Sequence, residues 1–125
     1  DVEVQMPEDK LMVWGDPDSI TQVCYNLLDN AAKFATPGTA IVIQMGKKDR
    51  KAVTTVRNLG ATIPEEELPL LFDRFHKADY SRSMDREGVG LGLYIVKTIL
   101  NNLKESIHVT SQDGVTEFTF TLTLA

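Results

Sequence analysis

The chain has 125 residues, 42% of them hydrophobic and 25% charged, a balance that fits one domain with its own core and excludes a disordered segment. Its net charge of −5 argues against non-specific nucleic-acid binding, and no apolar run approaches the ~20 residues of a membrane span. One cysteine, Cys24, and two histidines, His76 and His108, leave no disulfide framework and too few ligands for a zinc site.

The first residues, Asp1-Val2-Glu3, lack the basic start of a signal peptide. Val2, Val4 and Met6 alternate with Glu3 and Gln5, which predicts a strand, and Lys10 to Trp14 predicts a second, closed by Gly15. Asp16 is a good N-cap and Pro17 suits a first helical turn. From there Ile20, Val23, Cys24, Leu27, Leu28, Ala31 and Ala32 recur at helical spacing, so Cys24 reads as packing and not as a nucleophile. The helix should end near Thr36-Pro37-Gly38.

Ala40–Met45 and Ala52–Val56 are β-branched runs joined by a polar connection, 46–51. Pro64-Glu65-Glu66-Glu67 starts a short helix that continues to Phe75, with Pro69 interrupting it. Residues 76–90 show neither period and predict a long loop. A second long helix runs from about Leu91 to Asn102, with Leu91, Tyr94, Ile95, Ile99 and Leu103 on one face. The end is a hairpin: Ser106–Ser111, a turn at Asp113-Gly114, then Phe118, Phe120, Leu122 and Leu124 alternating with threonines. Strands at both ends and helices between them suggest an α/β sandwich with its helices on one face.

Four features could carry chemistry. Gln22, Asn26, Asn30 and Lys33 form a polar stripe on the first helix. A solvated face is the plain reading, but such a face would more naturally use Glu and Lys, whereas amide oxygens suit Mg²⁺ and an ammonium suits phosphate. Gly88-Val89-Gly90-Leu91-Gly92-Leu93 opens the second helix, where backbone N–H groups and the helix dipole favour an anion. Loop flexibility is its plain reading. Asn58, in Arg57-Asn58-Leu59-Gly60-Ala61-Thr62-Ile63-Pro64, is either a turn residue or a reader of a base edge. Between 74 and 86 the loop carries Arg74, Lys77, Arg82 and Arg86 against Asp79 and Asp85, a basic stretch in an acidic chain that suits a phosphate lid.

Together these features resemble the catalytic and ATP-binding domain of two-component sensor histidine kinases, in the fold family of DNA gyrase, MutL and the large heat-shock chaperone. Residues 22–34 look like the family's N box, Phe72-Asp73-Arg74-Phe75-His76-Lys77 like its F box, and 88–93 like its second glycine box. The resemblance implies an α+β fold, the Bergerat two-layer sandwich, with a mixed, mostly antiparallel sheet, about three helices on one face and a lid near 76–90, in a single domain over 1–125 cut from a larger kinase. It implies ATP and Mg²⁺ as ligands. Asn30 would hold the metal with Asn26 assisting, Lys33 would contact phosphate, and Phe34 would pack near the adenine or ribose. Asn58 and Gly60 would sit at the adenine edge with Ile63 lining the pocket. Phe75, Lys77, Gly88, Gly90, Leu91 and Gly92 would complete the nucleotide site.

The departures are specific. The first glycine box, usually Asp-x-Gly-x-Gly, reads Asn58-Leu59-Gly60-Ala61-Thr62. The F box ends in His76-Lys77, and a Gly-Gly pair after the last helix appears as Lys104-Glu105. Relatives that hydrolyse ATP carry a glutamate base four residues before the metal asparagine. Asn26 stands there, and an amide accepts no proton, so hydrolysis is disfavoured. The implied reaction is γ-phosphoryl transfer to a histidine on a dimerisation domain of the same or a partner chain, with a response regulator as an indirect partner, no nucleic acid, and a homodimer only in the full-length kinase. The implied place is the cytoplasmic part of a membrane-bound bacterial receptor. A degenerate nucleotide-binding or docking module is the alternative.

Overall fold

Threonine alternates with large apolar residues near the C-terminus, and these residues build an interior strand of a five-stranded sheet. The computed structural model describes residues 2–5, 12–73 and 92–125. In it β1 (Val2–Gln5), β2 (Ile41–Lys48), β3 (Lys51–Leu59), β4 (Ile107–Gln112) and β5 (Val115–Thr123) lie in the order β1-β2-β3-β5-β4. β1 runs parallel to β2 and every other pair is antiparallel. The expected mixed, mostly antiparallel sheet is therefore present.

On β3, Ala52, Val56 and Asn58 are buried, and on β5 Thr116, Phe118, Phe120 and Leu122 are buried. That period of two directs one sheet face to the core. Two helices cover it. α1 (Pro17–Phe34) starts where expected: Asp16 caps it by accepting from the Ser19 N–H at 3.1 Å, with Pro17 in the first turn. Val23, Leu27 and Ala31 are fully buried, with Ile20, Cys24 and Leu28 packed beside them. Cys24 is thus a packing residue, and burial pushes its thiol pKa up. Ala32, expected in the stripe, is exposed.

α2 (Gly92–Asn102) differs from expectation in the face it buries. Val96 and Leu100 enter the core, flanked by Leu93, Ile99 and Leu103, while Ile95 remains exposed. The helix has a polar side, with Lys97, Thr98, Asn101 and Asn102, and a broad apolar side, and packing in the core centres burial on Val96 and Leu100 and leaves Ile95 at the apolar side's edge. Leu91 lies outside the described residues.

Three other expectations change. The predicted strand at 10–14 is, over its described part, a single bridge between Val13 and Leu124. The β2–β3 connection is tighter than expected, because both strands extend to a two-residue turn with Asp49 in the left-handed region. The segment after Pro64 is a 3₁₀ helix, Glu65–Leu70, and not an α-helix through Phe75. Pro69 removes an N–H and obstructs the preceding turn, which limits the run to the tighter form. The described helices are therefore two α-helices and one 3₁₀ helix. Among the described residues no helix is long and apolar enough to cross a membrane.

Candidate functional site

The polar stripe on α1 points away from the core formed by Val23, Leu27 and Ala31, and its members have different partners. The Asn26 amide is engaged at both ends. Its Oδ1 accepts from Gln22 Nε2 at 2.7 Å, and its Nδ2 donates to the Gly92 carbonyl at 3.2 Å. Asn26 thus ties α1 to the first residue of α2, across a sequence separation of 66 residues. Asn30 is half-buried, and its side chain makes no hydrogen bond to any described residue. Lys33 forms an i,i+4 ion pair with Asp29 at 3.2 Å, both side chains half exposed. Such a pair contributes about 1 kcal/mol or less.

The C-terminal end of α1 meets the end of β3. The Thr36 N–H donates to the Leu59 carbonyl at 2.7 Å. A Cβ at Gly60 would collide with the Phe34 carbonyl oxygen and stand 3.6 Å from Asn58 Nδ2. Only glycine permits that approach. The Phe34 backbone, Asn58 and Gly60 therefore lie together. Ile63 is buried nearby, its N–H donating to Ser111 Oγ at 2.8 Å.

Asn58 is the unusual member. Only 5% of it is exposed, yet no hydrogen bond joins its amide to a described residue. No fully buried side-chain nitrogen or oxygen lacks a partner among the described residues. The Asn58 amide is therefore not a fully buried group left unsatisfied, and its Nδ2 stands beside Gly60 at the α1–β3 junction. A carboxamide held there offers an acceptor and a donor side by side, the pattern that reads a base edge. Asn26 and Phe34 are eight residues apart on α1, or ~12 Å at the helical rise.

Two of the family departures have structural explanations. Thr62 accepts from the Gly114 N–H at 2.7 Å, so the side chain that replaces a glycine holds the β4–β5 turn. Lys104 takes the left-handed conformation in place of a glycine. Glu105 then turns inward: it accepts from Lys51 Nζ at 2.7 Å, Thr121 Oγ1 at 2.9 Å, and the Thr123 N–H and Oγ1, both at 2.7 Å. Sequence reasoning missed the roles of Ser111, Thr116 and Glu105, whose partners lie elsewhere in the chain. Phe75, Lys77, Gly88, Gly90, Leu91 and the expected lid at 76–90 lie outside the described residues.

The model of the histidine kinase-, DNA gyrase B- and HSP90-like ATPases matches residues 15–125. The sensor histidine kinase CusS of Escherichia coli O157:H7 is 41% identical over 121 residues, 97% of this chain and 25% of that protein. The sensor protein SrrB of Staphylococcus aureus is 38% identical over 106 residues, 84% of this chain and 18% of that protein. The chain thus spans about a quarter or less of these curated relatives. Among solved structures, a mycobacterial sensor histidine kinase, MprB, superposes with a TM-score of 0.86 at 29% identity, covering 98% of this chain and 84% of that one. The nucleotide-free catalytic domain of the histidine kinase ThkA gives 0.85 at 27%, covering 98% and 78%.

Proposed function

The chain belongs to the histidine kinase-, DNA gyrase B- and HSP90-like ATPase family, and on that premise we propose that it is the ATP-binding catalytic module of a sensor histidine kinase, passing the γ-phosphoryl group of ATP to a histidine on another domain. ATP binding follows from the family. The observation that carries the residue assignment is the amide of Asn58, 5% exposed and without a hydrogen bond to any described residue, beside Gly60 and the Phe34 carbonyl. In this reading Asn58 takes the adenine edge, Gly60 and Ile63 shape the base pocket, and Phe34 packs on the base or ribose.

A carboxamide oxygen is a hard ligand that suits Mg²⁺, and Asn30 has that oxygen free of the described residues. Asn30 is therefore the metal residue of the proposal. Asn26 fits less well, because Gln22 and Gly92 already occupy its amide. When bound, the metal would neutralise charge on the phosphate oxygens. Lys33 would leave Asp29 for a phosphate, and Gly92 would let the chain pass close to it. Catalysis on this side is then mostly positioning and charge neutralisation.

The choice of transfer over hydrolysis rests on Asn26. An amide takes no proton from water, and its oxygen is held by Gln22. A neutral imidazole needs no such base. His108, the one histidine among the described residues, is exposed on β4 and alternates with core-facing Ile107 and Val109, so it faces away from α1. The acceptor histidine then belongs to a dimerisation domain, with a response regulator downstream, on the cytoplasmic side of a membrane receptor. Thr62 and Glu105 favour this reading over a degenerate module, since both departures carry hydrogen bonds.

Calorimetric titration with ATP and Mg²⁺ tests the proposal. Asn30→Ala should remove the Mg²⁺-dependent part of the affinity and leave the circular dichroism unchanged. Unchanged Mg²⁺-dependent affinity overturns the metal assignment.

A further inference from the structure

We propose that Thr62 is a positioning residue for the nucleobase end of the site, acting through the β4–β5 turn; this deepens the nucleotide reading above and rests on it. Residues 60–63 lie between β3 and the 3₁₀ helix, in no regular element. Ties on two sides set the course of this segment. On one side stands the end of α1, through Thr36 to Leu59 and the close approach of Gly60 to Phe34. On the other stands the β4–β5 hairpin.

The hairpin ties are reciprocal. The Gly60 N–H donates to the Gly114 carbonyl at 2.9 Å, and the Gly114 N–H donates back to Thr62 Oγ1 at 2.7 Å. Gly114 has φ +79°, and a Cβ there would stand 3.3 Å from the Gly60 carbonyl oxygen. A left-handed glycine is what lets both peptide groups of the turn face the segment. One step further, the Ile63 N–H donates to Ser111 Oγ, which shares a 2.8 Å hydrogen bond with Thr116 Oγ1. Thr116 is the cross-strand partner of Asn58.

Thr62 closes this clamp with the only side-chain acceptor that the segment gives the turn. Its hydroxyl is exposed, so it is not needed to fill the core. What it fixes is the distance between the hairpin and the stretch that carries Asn58, Gly60 and Ile63. The phosphate end of the site, at Asn30, Asn26 and Gly92, is held by separate contacts between α1 and α2. Loss of the hydroxyl should therefore loosen the base pocket and leave the phosphate end intact.

The test compares wild type, Thr62→Val and Thr62→Ser. In Thr62→Val, ATP and ADP should both weaken by the same factor, about fivefold, the worth of one neutral hydrogen bond. The dependence of ATP affinity on Mg²⁺ concentration should stay as in wild type, and Thr62→Ser should restore the affinity. Without nucleotide, hydrogen exchange at the Gly114 amide should speed up in Thr62→Val and not in Thr62→Ser. A purely structural role would lower the melting temperature without moving nucleotide affinity in the folded protein. A wild-type chain that binds neither nucleotide overturns the nucleotide reading and this inference with it. Wild-type binding that Thr62→Val leaves unchanged, or a loss that Thr62→Ser does not reverse, overturns this inference alone.

Discussion

The two ends of β3 treat buried polar groups in opposite ways. At its start, Lys51 meets Glu105, whose side chain is 4% exposed and accepts hydrogen bonds from Lys51, Thr121 and Thr123. At its end, Asn58 is about as buried and has no partner among the described residues. A fully satisfied buried carboxylate holds elements together. A carboxamide that no described residue engages keeps its donor and acceptor for another group. One end of the strand is tied into the fold, and the other is the end that the proposed function assigns to the base.

Substitution at the two ends should therefore give opposite results. Glu105→Ala should lower unfolding stability by about 2–3 kcal/mol, because charge-assisted bonds are lost and the Thr123 N–H is left without its acceptor. ATP affinity of the folded protein should not change. Urea unfolding and calorimetry check the pair of outcomes, and a loss of affinity without a loss of stability would erase the distinction. Asn58→Leu should do the reverse. It should weaken ATP by about tenfold, roughly 1.4 kcal/mol, while the melting temperature stays level or rises.

Acid should distinguish the ends too. Burial pushes the Glu105 carboxyl pKa up, but the hydrogen bonds from Lys51, Thr123 and Thr121 outweigh it and bring the pKa below the ordinary value. A lowered carboxyl pKa means that the folded state holds the charged form more tightly than the unfolded chain does. Its contribution is complete above the ordinary glutamate value of about 4.3 and is lost as pH falls through the lower folded value. The stability difference between wild type and Glu105→Gln should therefore shrink between neutral pH and pH ~3. Thermal melts across that range measure it, and a difference independent of pH would contradict the pairing.

The smallest effect concerns base choice. The Asn58 amide can present its acceptor to the adenine amino group and its donor to the adjacent ring nitrogen, and by rotating it can answer guanine. An aspartate cannot donate to the guanine carbonyl. Asn58→Asp should sharpen the preference for ATP over GTP in paired titrations. Equal ratios in both forms would mean that residue 58 does not read the base.

Much of this was legible locally. Asp16 and Pro17 marked the start of α1, and Asp113-Gly114 marked the last hairpin, because caps and turns depend on adjacent residues. The alternation of Phe118, Phe120 and Leu122 disclosed the core face of β5. On α2 the apolar side was legible but not its centre, since Leu93, Ile95, Val96, Ile99 and Leu100 share that broad side and only packing in the core selects Val96 and Leu100 over Ile95. Asp49 turns the β2–β3 hairpin without the glycine that usually signals such a turn. At the site, Asn30, Lys33, Asn58 and Gly60 were readable as residue types in a pattern. The engagement of Asn26 was not, because Gly92 lies 66 residues away. Thr62 and Glu105 looked like defects in a glycine pattern until their partners in the hairpin and on β5 were visible.

Asn58 has no partner among the described residues, and in the proposed function a nucleotide supplies one. Its side-chain NH₂ can be followed by NMR during titration of the wild-type chain with ATP and Mg²⁺. The account predicts that the Asn58 signal shifts to saturation along with the Gly60 amide, while the Thr123 amide bonded to Glu105 stays in place. An Asn58 signal that does not move while ATP binds would contradict it.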